Sequence, residues 1–155
     1  TIENKLITTT QKGKTNMTSM FNTEYAEIKV TQTMLDKHII DANKSVIKLF
    51  GDTYDNLENG DGVKFDGEYF YDSTISVIRC YKAKTRGDKR ISISGLNKHT
   101  QAGDVVGIFK RLNEEQYHNR PDWSIVKLSA WDEDEMEDLK CALVHDGLVK
   151  SDEPD

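Results

Sequence analysis

Apolar positions in this chain recur mostly in short alternating runs separated by turn residues. Ala26–Val30 alternates apolar and polar side chains, the pattern of a strand with one buried face. Gly62–Phe65 and Tyr69–Tyr71 flank Asp66-Gly67, a pair suited to a hairpin turn because both residues tolerate positive φ. Thr74–Tyr81 and Arg90–Ser94 are the segments richest in β-branched residues, which fit a pleated surface, and Gly87-Asp88 supplies the turn between them. Asp104–Phe109 follows Gly103, and Trp123–Leu128 adds a further strand. Roughly seven short strands with turn signals between them predict a barrel or sandwich.

Two segments have helical spacing instead. Leu35, Ile39, Ala42, Val46 and Leu49 fall on one face of a helix over Thr33–Phe50, with Gly51 as its stop. The first half serves equally well as a strand through His38-Ile39-Ile40, which leaves a shorter helix over Asn43–Phe50. A second helix begins near Asp132, where six acids in Asp132–Asp138 suit the positive helix N-terminus. Met136, Leu139 and Leu143 form its buried stripe, and Gly147 ends it.

The remaining segments set the domain limits. Residues 1–22 are rich in Thr, Lys and Asn without sustained periodicity and read as a flexible leader or a foreign extension, with Met17 and Met20 as candidate native starts. Residues 23–150 form one domain, and residues 151–155 are a polar tail or the start of a linker. At 155 residues the chain is long enough for a substantial core. It has neither an apolar run of membrane-spanning length nor a signal peptide, so a soluble, cytoplasmic protein without a membrane partner is expected. Cys80 and Cys141 form no CxxC spacing, which suits a reducing compartment.

Charge separates one region from the rest. Arg79–Arg111 contains nine Lys/Arg and two Asp in a chain of net charge −6, and the other residues hold 12 positive and 25 negative charges, a balance of −13. A basic β-arm on an acidic body is the footprint of a protein that grips a polyanion with one surface. Lys82, Lys84 and Arg86 alternate, so an extended strand would put them on one face, and Lys89 and Arg90 return beyond the turn. A two-stranded ribbon fits the major groove of B-DNA, where Arg or Lys donates to guanine and Asp accepts from cytosine. Arg86 beside Asp88 is thus a candidate G·C reader, with the lysines on phosphates. The alternative is a solvated basic hairpin that protects a sheet edge.

Catalytic patterns are weaker. A metal-dependent nuclease needs clustered carboxylates and a Lys, but Tyr81-Lys82-Ala83-Lys84 has no acid two positions before either Lys, and Asp61 and Asp66 lie beside glycines. His38, His99, His118 and His145 lack ligand spacing with either cysteine, and Tyr117–Pro121 (YHNRP) reads as a surface loop. Gly103-Asp104 opens a strand, so no phosphate-binding helix start follows it. No cofactor, metal site or catalytic residue is expected in this chain.

In order and spacing, AEIKVTQTMLDKHIIDANKSVIKLFGD, DGVKFDGEYF, the basic arm and QAGDVVGIFKR resemble the plant B-three DNA-binding domain. They resemble more closely its bacterial relatives, the N-terminal recognition (effector-binding) domains of EcoRII-type restriction endonucleases. The resemblance implies a mainly β (α+β) fold, an open seven-stranded pseudobarrel with short flanking helices, and the shorter helix Asn43–Phe50. It implies double-stranded DNA as partner, gripped in the major groove by two arms. The C-arm maps onto Lys82–Arg90, with Lys82, Lys84, Arg86, Asp88, Lys89 and Arg90 as its contacts. The N-arm is the loop Thr31–His38, with Gln32, Thr33, Lys37 and His38. Aromatic residues typical of plant members are missing around the C-arm, so plant transcription-factor function is not implied, and the acidic helix after Trp131 lies outside the pattern. The function this implies is target recognition for a type II restriction endonuclease at a CCWGG-like site, with any nuclease domain, and the Mg it needs, C-terminal to Asp155 in a longer parent. The alternative is a protein-binding module, such as a phage inhibitor of a host factor, acting through the acidic face.

Overall fold

Seven strands form one sheet in the computed structural model, which describes residues 21–112 and 119–151. They are β1 (Ala26–Lys29), β2 (Ile40–Asp41), β3 (Gly62–Tyr69), β4 (Ile75–Lys82), β5 (Lys89–Ile93), β6 (Val105–Lys110) and β7 (Trp123–Lys127). The order across the sheet is β1-β6-β7-β3-β4-β5-β2. Neighbours are antiparallel except β3 and β7, which run parallel with Gly67 opposite Trp123. With β1 and β2 at its two edges, the mixed sheet curls into an open half-barrel, accompanied by the short helices α1 (Gln32–Lys37), α2 (Lys44–Asp55), α3 (Leu96–His99) and α4 (Met136–His145). The mainly β pseudobarrel read from the sequence is therefore the observed architecture.

Two apolar clusters cover the sheet. On the concave side Ile28, Ile78, Ile91, Ile108 and Ile125 surround Val46, Phe50 and Tyr54 of α2. Phe50 stacks on Trp123 with centroids 4.7 Å apart, and the Tyr54 hydroxyl donates to the Arg90 carbonyl at 2.7 Å. On the opposite side of β6 and β7, Phe109 and Val126 pack under Leu139 and Leu143 of α4 together with Phe21 and Tyr25. Phe21, placed in the leader by composition, is thus a buried core residue at 4% exposure. Residues 1–20 of that leader and residues 152–155 of the tail lie outside the described residues.

The structure decides between the two readings of residues 33–50 and departs from the sequence elsewhere. The long helix Thr33–Phe50 is broken by β2, whose Ile40 pairs with Ile91, so the shorter helix that starts after Asn43 is the one that forms. After Asn43, which caps α2 by accepting from the Val46 N–H, the first helical stretch breaks at Phe50, whose angles are non-helical, and a second stretch runs on from Gly51 to Asp55. A glycine inside a helix costs about 1 kcal/mol, less than the roughly 1.5–3 kcal/mol gained by burying one large apolar side chain such as the ring of Tyr54. Asp66-Gly67 is also not a turn, because β3 continues through it. A Cβ on Gly67 would stand 3.2 Å from Ile78 Cδ1 and 3.5 Å from the Trp123 carbonyl oxygen, so the glycine serves close approach of β7. The chain turns after Tyr69 instead, where Ser73 has φ 60 and Asp72 Oδ1 accepts from the Thr74 N–H at 3.0 Å.

Arg111 follows β6 directly and its side chain is fully buried. Its guanidinium donates to the Pro121 carbonyl at 3.1 Å, the Asp146 carbonyl at 2.6 Å and Glu68 Oε2 at 3.3 Å. Arg120 joins the group by donating to Asp146 at 2.7 and 3.1 Å and to Glu68. Two cations and two carboxylates thereby tie β3 and the end of β6 to the residue just after α4. Arg111→Ala leaves Glu68 without its deepest partner and should cost about 3–5 kcal/mol in chemical unfolding; a loss under about 1 kcal/mol would show that Arg120 alone satisfies Glu68. Cys80 is buried and Cys141 exposed, and burial pushes the Cys80 thiol up to about 11. At pH 8 an aromatic disulfide should therefore titrate one fast thiol in the folded protein and both after unfolding, whereas two fast thiols would contradict the packing around β4.

Candidate nucleic-acid interface

The C-arm is the hairpin between β4 and β5. Tyr81 stands opposite Arg90, and Lys82 opposite Lys89. Beyond them the Ala83 N–H donates to the Asp88 carbonyl at 2.8 Å, and the Gly87 N–H to the Ala83 carbonyl at 2.9 Å. Gly87 has φ 74, and the Asn59 side chain occupies the space that a Cβ there would need. The loop before β3 braces the arm from one side. The Gly60 N–H donates to the Lys82 carbonyl at 2.9 Å, the Lys82 N–H to the Asp61 carbonyl at 3.0 Å, and Lys82 Nζ to the Leu57 carbonyl at 2.8 Å.

This geometry separates residues that the sequence had grouped. Lys82, Lys84 and Arg86 do not share one strand face, because β4 ends at Lys82 and the chain turns. Lys82 is turned back onto Leu57. Lys84 and Arg86 remain exposed at the tip, with the Arg86 side chain 81% exposed. Asp88 lies between Arg86, at 3.5 Å, and Arg90, at 3.6 Å. Arg90 reaches Asp41 of β2 as well, at 3.4 Å, and is a half-buried sheet residue, as Lys89 is beside it. Exposed ion pairs contribute about 0–1 kcal/mol, so the Arg86–Asp88 pair can be exchanged for an external partner at little cost.

The predicted N-arm loop is a helix. Thr31 Oγ1 accepts from the Met34 N–H at 3.2 Å and opens α1, while His38, at φ 57, closes it by donating its N–H to the Met34 carbonyl. Met34 and Leu35 pack against the concave core, and this amphipathic anchoring is what makes the segment helical. Gln32, Thr33, Lys37 and His38 are all exposed, although Gln32 Nε2 donates to Asp36 at 2.9 Å. The antiparallel pairing of β2 with β5 puts the C-arm at the start of β5 and the N-arm near its end, where His38 and Met34 share a hollow with Ser92 and Leu96. Four residue steps at ~3.3 Å separate the two ends of β5, about 13 Å, close to the ~12 Å width of the B-DNA major groove.

The positive charge of Arg79–Arg111 is likewise divided. Arg111 is buried in its ion network, Lys110 Nζ lies 6.0 Å from the Trp123 ring centroid, and Arg79 rests 4.3 Å over the Tyr81 ring. The bracing by Asn59 and the Arg79–Tyr81 stack were missed in sequence; only the aromatic residue interleaved with basic ones around Tyr81 signals the latter. Arg120 carries no such signal. In the YHNRP segment Tyr117 and His118 lie outside the described residues. Among the described residues no group of three His, Cys, Asp or Glu side chains is placed to hold a metal ion, and no helix is long and apolar enough to cross a membrane.

No family model matches the chain, and no curated protein matches it in sequence. Among solved structures it is similar to the N-terminal domain of Helicobacter pylori LlaJI.R1, with a TM-score of 0.40 and 13% sequence identity over 76% of this chain and 98% of that one.

Gly87→Val places a branched side chain at positive φ against Asn59. It should destabilise the protein by about 1–3 kcal/mol and speed amide exchange across residues 83–88. Unchanged exchange there would mean that the tip is not held by this contact.

Proposed function

We propose that this chain binds double-stranded DNA through the C-arm and serves as the target-recognition module of a restriction endonuclease. The observation that carries the reading is a braced β-ribbon tip with Lys84 and Arg86 free to solvent on a protein of net charge −6. A ribbon of two strands fits the major groove, and a guanidinium held at its tip donates to guanine O6 and N7. In this reading Arg86 reads a guanine, Asp88 accepts from the paired or adjacent cytosine, and Arg90 and Lys89 support them from the sheet. Lys84 and, from the N-arm, Lys37 hold phosphates and set register, with Gln32, Thr33 and His38 at the far edge of the site, while Lys82 braces the arm from Leu57. The two arms flank the β2–β5 edge in the manner expected of a B-three-like recognition domain.

The finer form of the proposal is a short G·C-rich palindrome with a central A·T pair, of CCWGG type. Cleavage, with its Mg, would belong to a separate C-terminal domain of a longer parent protein. Gel-shift comparison of a CCWGG duplex with a scrambled one tests both levels. Arg86→Ala should cost about 1–3 kcal/mol on the preferred duplex and little on the other. Equal losses on both would reduce Arg86 to a phosphate contact. Absence of binding even at low salt would sink the DNA reading and leave the acidic turn Asp132–Asp138 as a protein-docking face.

A further inference from the structure

Among the described residues, nothing covers the side of β3, β4 and β5 that faces away from the core as α4 covers β6 and β7. Strand register sets Lys64 opposite Arg79 and Arg79 opposite Ser92. The next row toward the C-arm holds Gly62, Tyr81 and Arg90. The Arg79 guanidinium sits 4.3 Å over the Tyr81 ring in a notch beside Gly62, where a Cβ would stand 2.7 Å from Arg79 Nε and 2.9 Å from Nη2 and displace it. Arg90 is already paired with Asp41 and Asp88. Arg79 and Lys64, by contrast, take no part in the ion pairs among the described residues. The nearest acid on this face, Asp66, sits one row farther from the arm, opposite Val77.

A guanidinium resting on an aromatic face keeps its fork of N–H donors directed outward, which suits bidentate binding of a phosphate oxygen pair. Directly opposed residues on antiparallel strands have Cβ atoms about 5 Å apart, so the Lys64 ammonium can reach the same phosphate or the next. The patch continues the C-arm without a break through Tyr81, and Ser92 at its other side borders the hollow under the N-arm. We propose that Arg79 and Lys64 form a phosphate clamp on the outer face of the sheet, so that a duplex engaged by the C-arm continues across β4. This rests on the DNA-binding reading and extends its footprint from the tip to the sheet.

The test is equilibrium binding of the full chain to matched and scrambled duplexes over a range of salt concentrations. Arg79→Gln and Lys64→Gln should each lower the magnitude of the log K against log[salt] slope by about 0.9, equally for both duplexes. Gly62→Val and Tyr81→Leu keep every charge but remove the notch or the platform. Each should weaken binding as Arg79→Gln does, which a purely long-range charge effect would not produce. If Gly62→Val fails to fold, Tyr81→Leu decides alone. Unchanged slopes in Arg79→Gln and Lys64→Gln, with Arg86→Ala still weakening binding, overturn the clamp and spare the C-arm. No binding by the unaltered protein overturns both.

Discussion

An open sheet must bury its concave face without closing its edges, and here α2 meets that requirement. Val46, Phe50 and Tyr54 fill the space between strands from both halves of the sheet. The Tyr54 hydroxyl then satisfies the Arg90 carbonyl from inside the core. An unsatisfied buried carbonyl costs about 1–3 kcal/mol, so this bond fixes where β5 begins relative to the helix. Arg90 also spans outward, its guanidinium between Asp41 of β2 and Asp88 of the tip. One residue thus couples the core, the short edge strand and the exposed arm, and the arm inherits its rigidity from the barrel.

That coupling bears on the proposed recognition of DNA, because a flexible basic loop and a braced one differ in what they can read. A loose chain of lysines attracts phosphates without regard to sequence. A tip held by Gly87, Asn59 and the carbonyl bonds of Lys82 presents Arg86 from a defined place, which base reading requires. The second ion network has the opposite character. Arg111, Arg120, Glu68 and Asp146 are turned inward, and their role is to dock the end of α4 and the loop before β7 against the sheet. Two arginines from similar-looking basic sequence therefore do unrelated things, Arg86 facing solvent and Arg111 fully buried.

Much of the architecture was legible in the chain because alternation and β-branching act locally. β4 and β5 were found to within a residue at each end, and α4 with its acidic start and Gly147 stop was found as well. The capping turn before α4, where the Asp132 N–H donates to Glu135, follows directly from that acid-rich start. What failed depends on contacts distant in sequence. Asp66-Gly67 looks like a turn locally, yet Trp123 needs its close approach. Gly51 looks like a helix stop, and the helix does break at Phe50, yet burial of Tyr54 draws a further helical stretch past it. The resemblance makes Thr31–His38 a loop, yet Met34 and Leu35 find core to pack on, as the helical spacing of Leu35 suggests. At the candidate site the tip residues Lys84, Arg86 and Asp88 were legible from charge and turn chemistry. The inward turn of Lys82, the sheet pairing of Arg90 and the Arg79–Tyr81 stack were not, since each depends on a partner in another strand or loop.

The central claim is that the C-arm, and not the acidic turn, meets nucleic acid. Amide hydrogen exchange on adding a short duplex tests it most directly. Protection should appear across residues 83–88 and in β4 near Arg79 and Tyr81, with weaker protection over residues 32–38, while residues 132–138 stay unchanged. Protection confined to residues 132–138, or none anywhere at low salt, would contradict it.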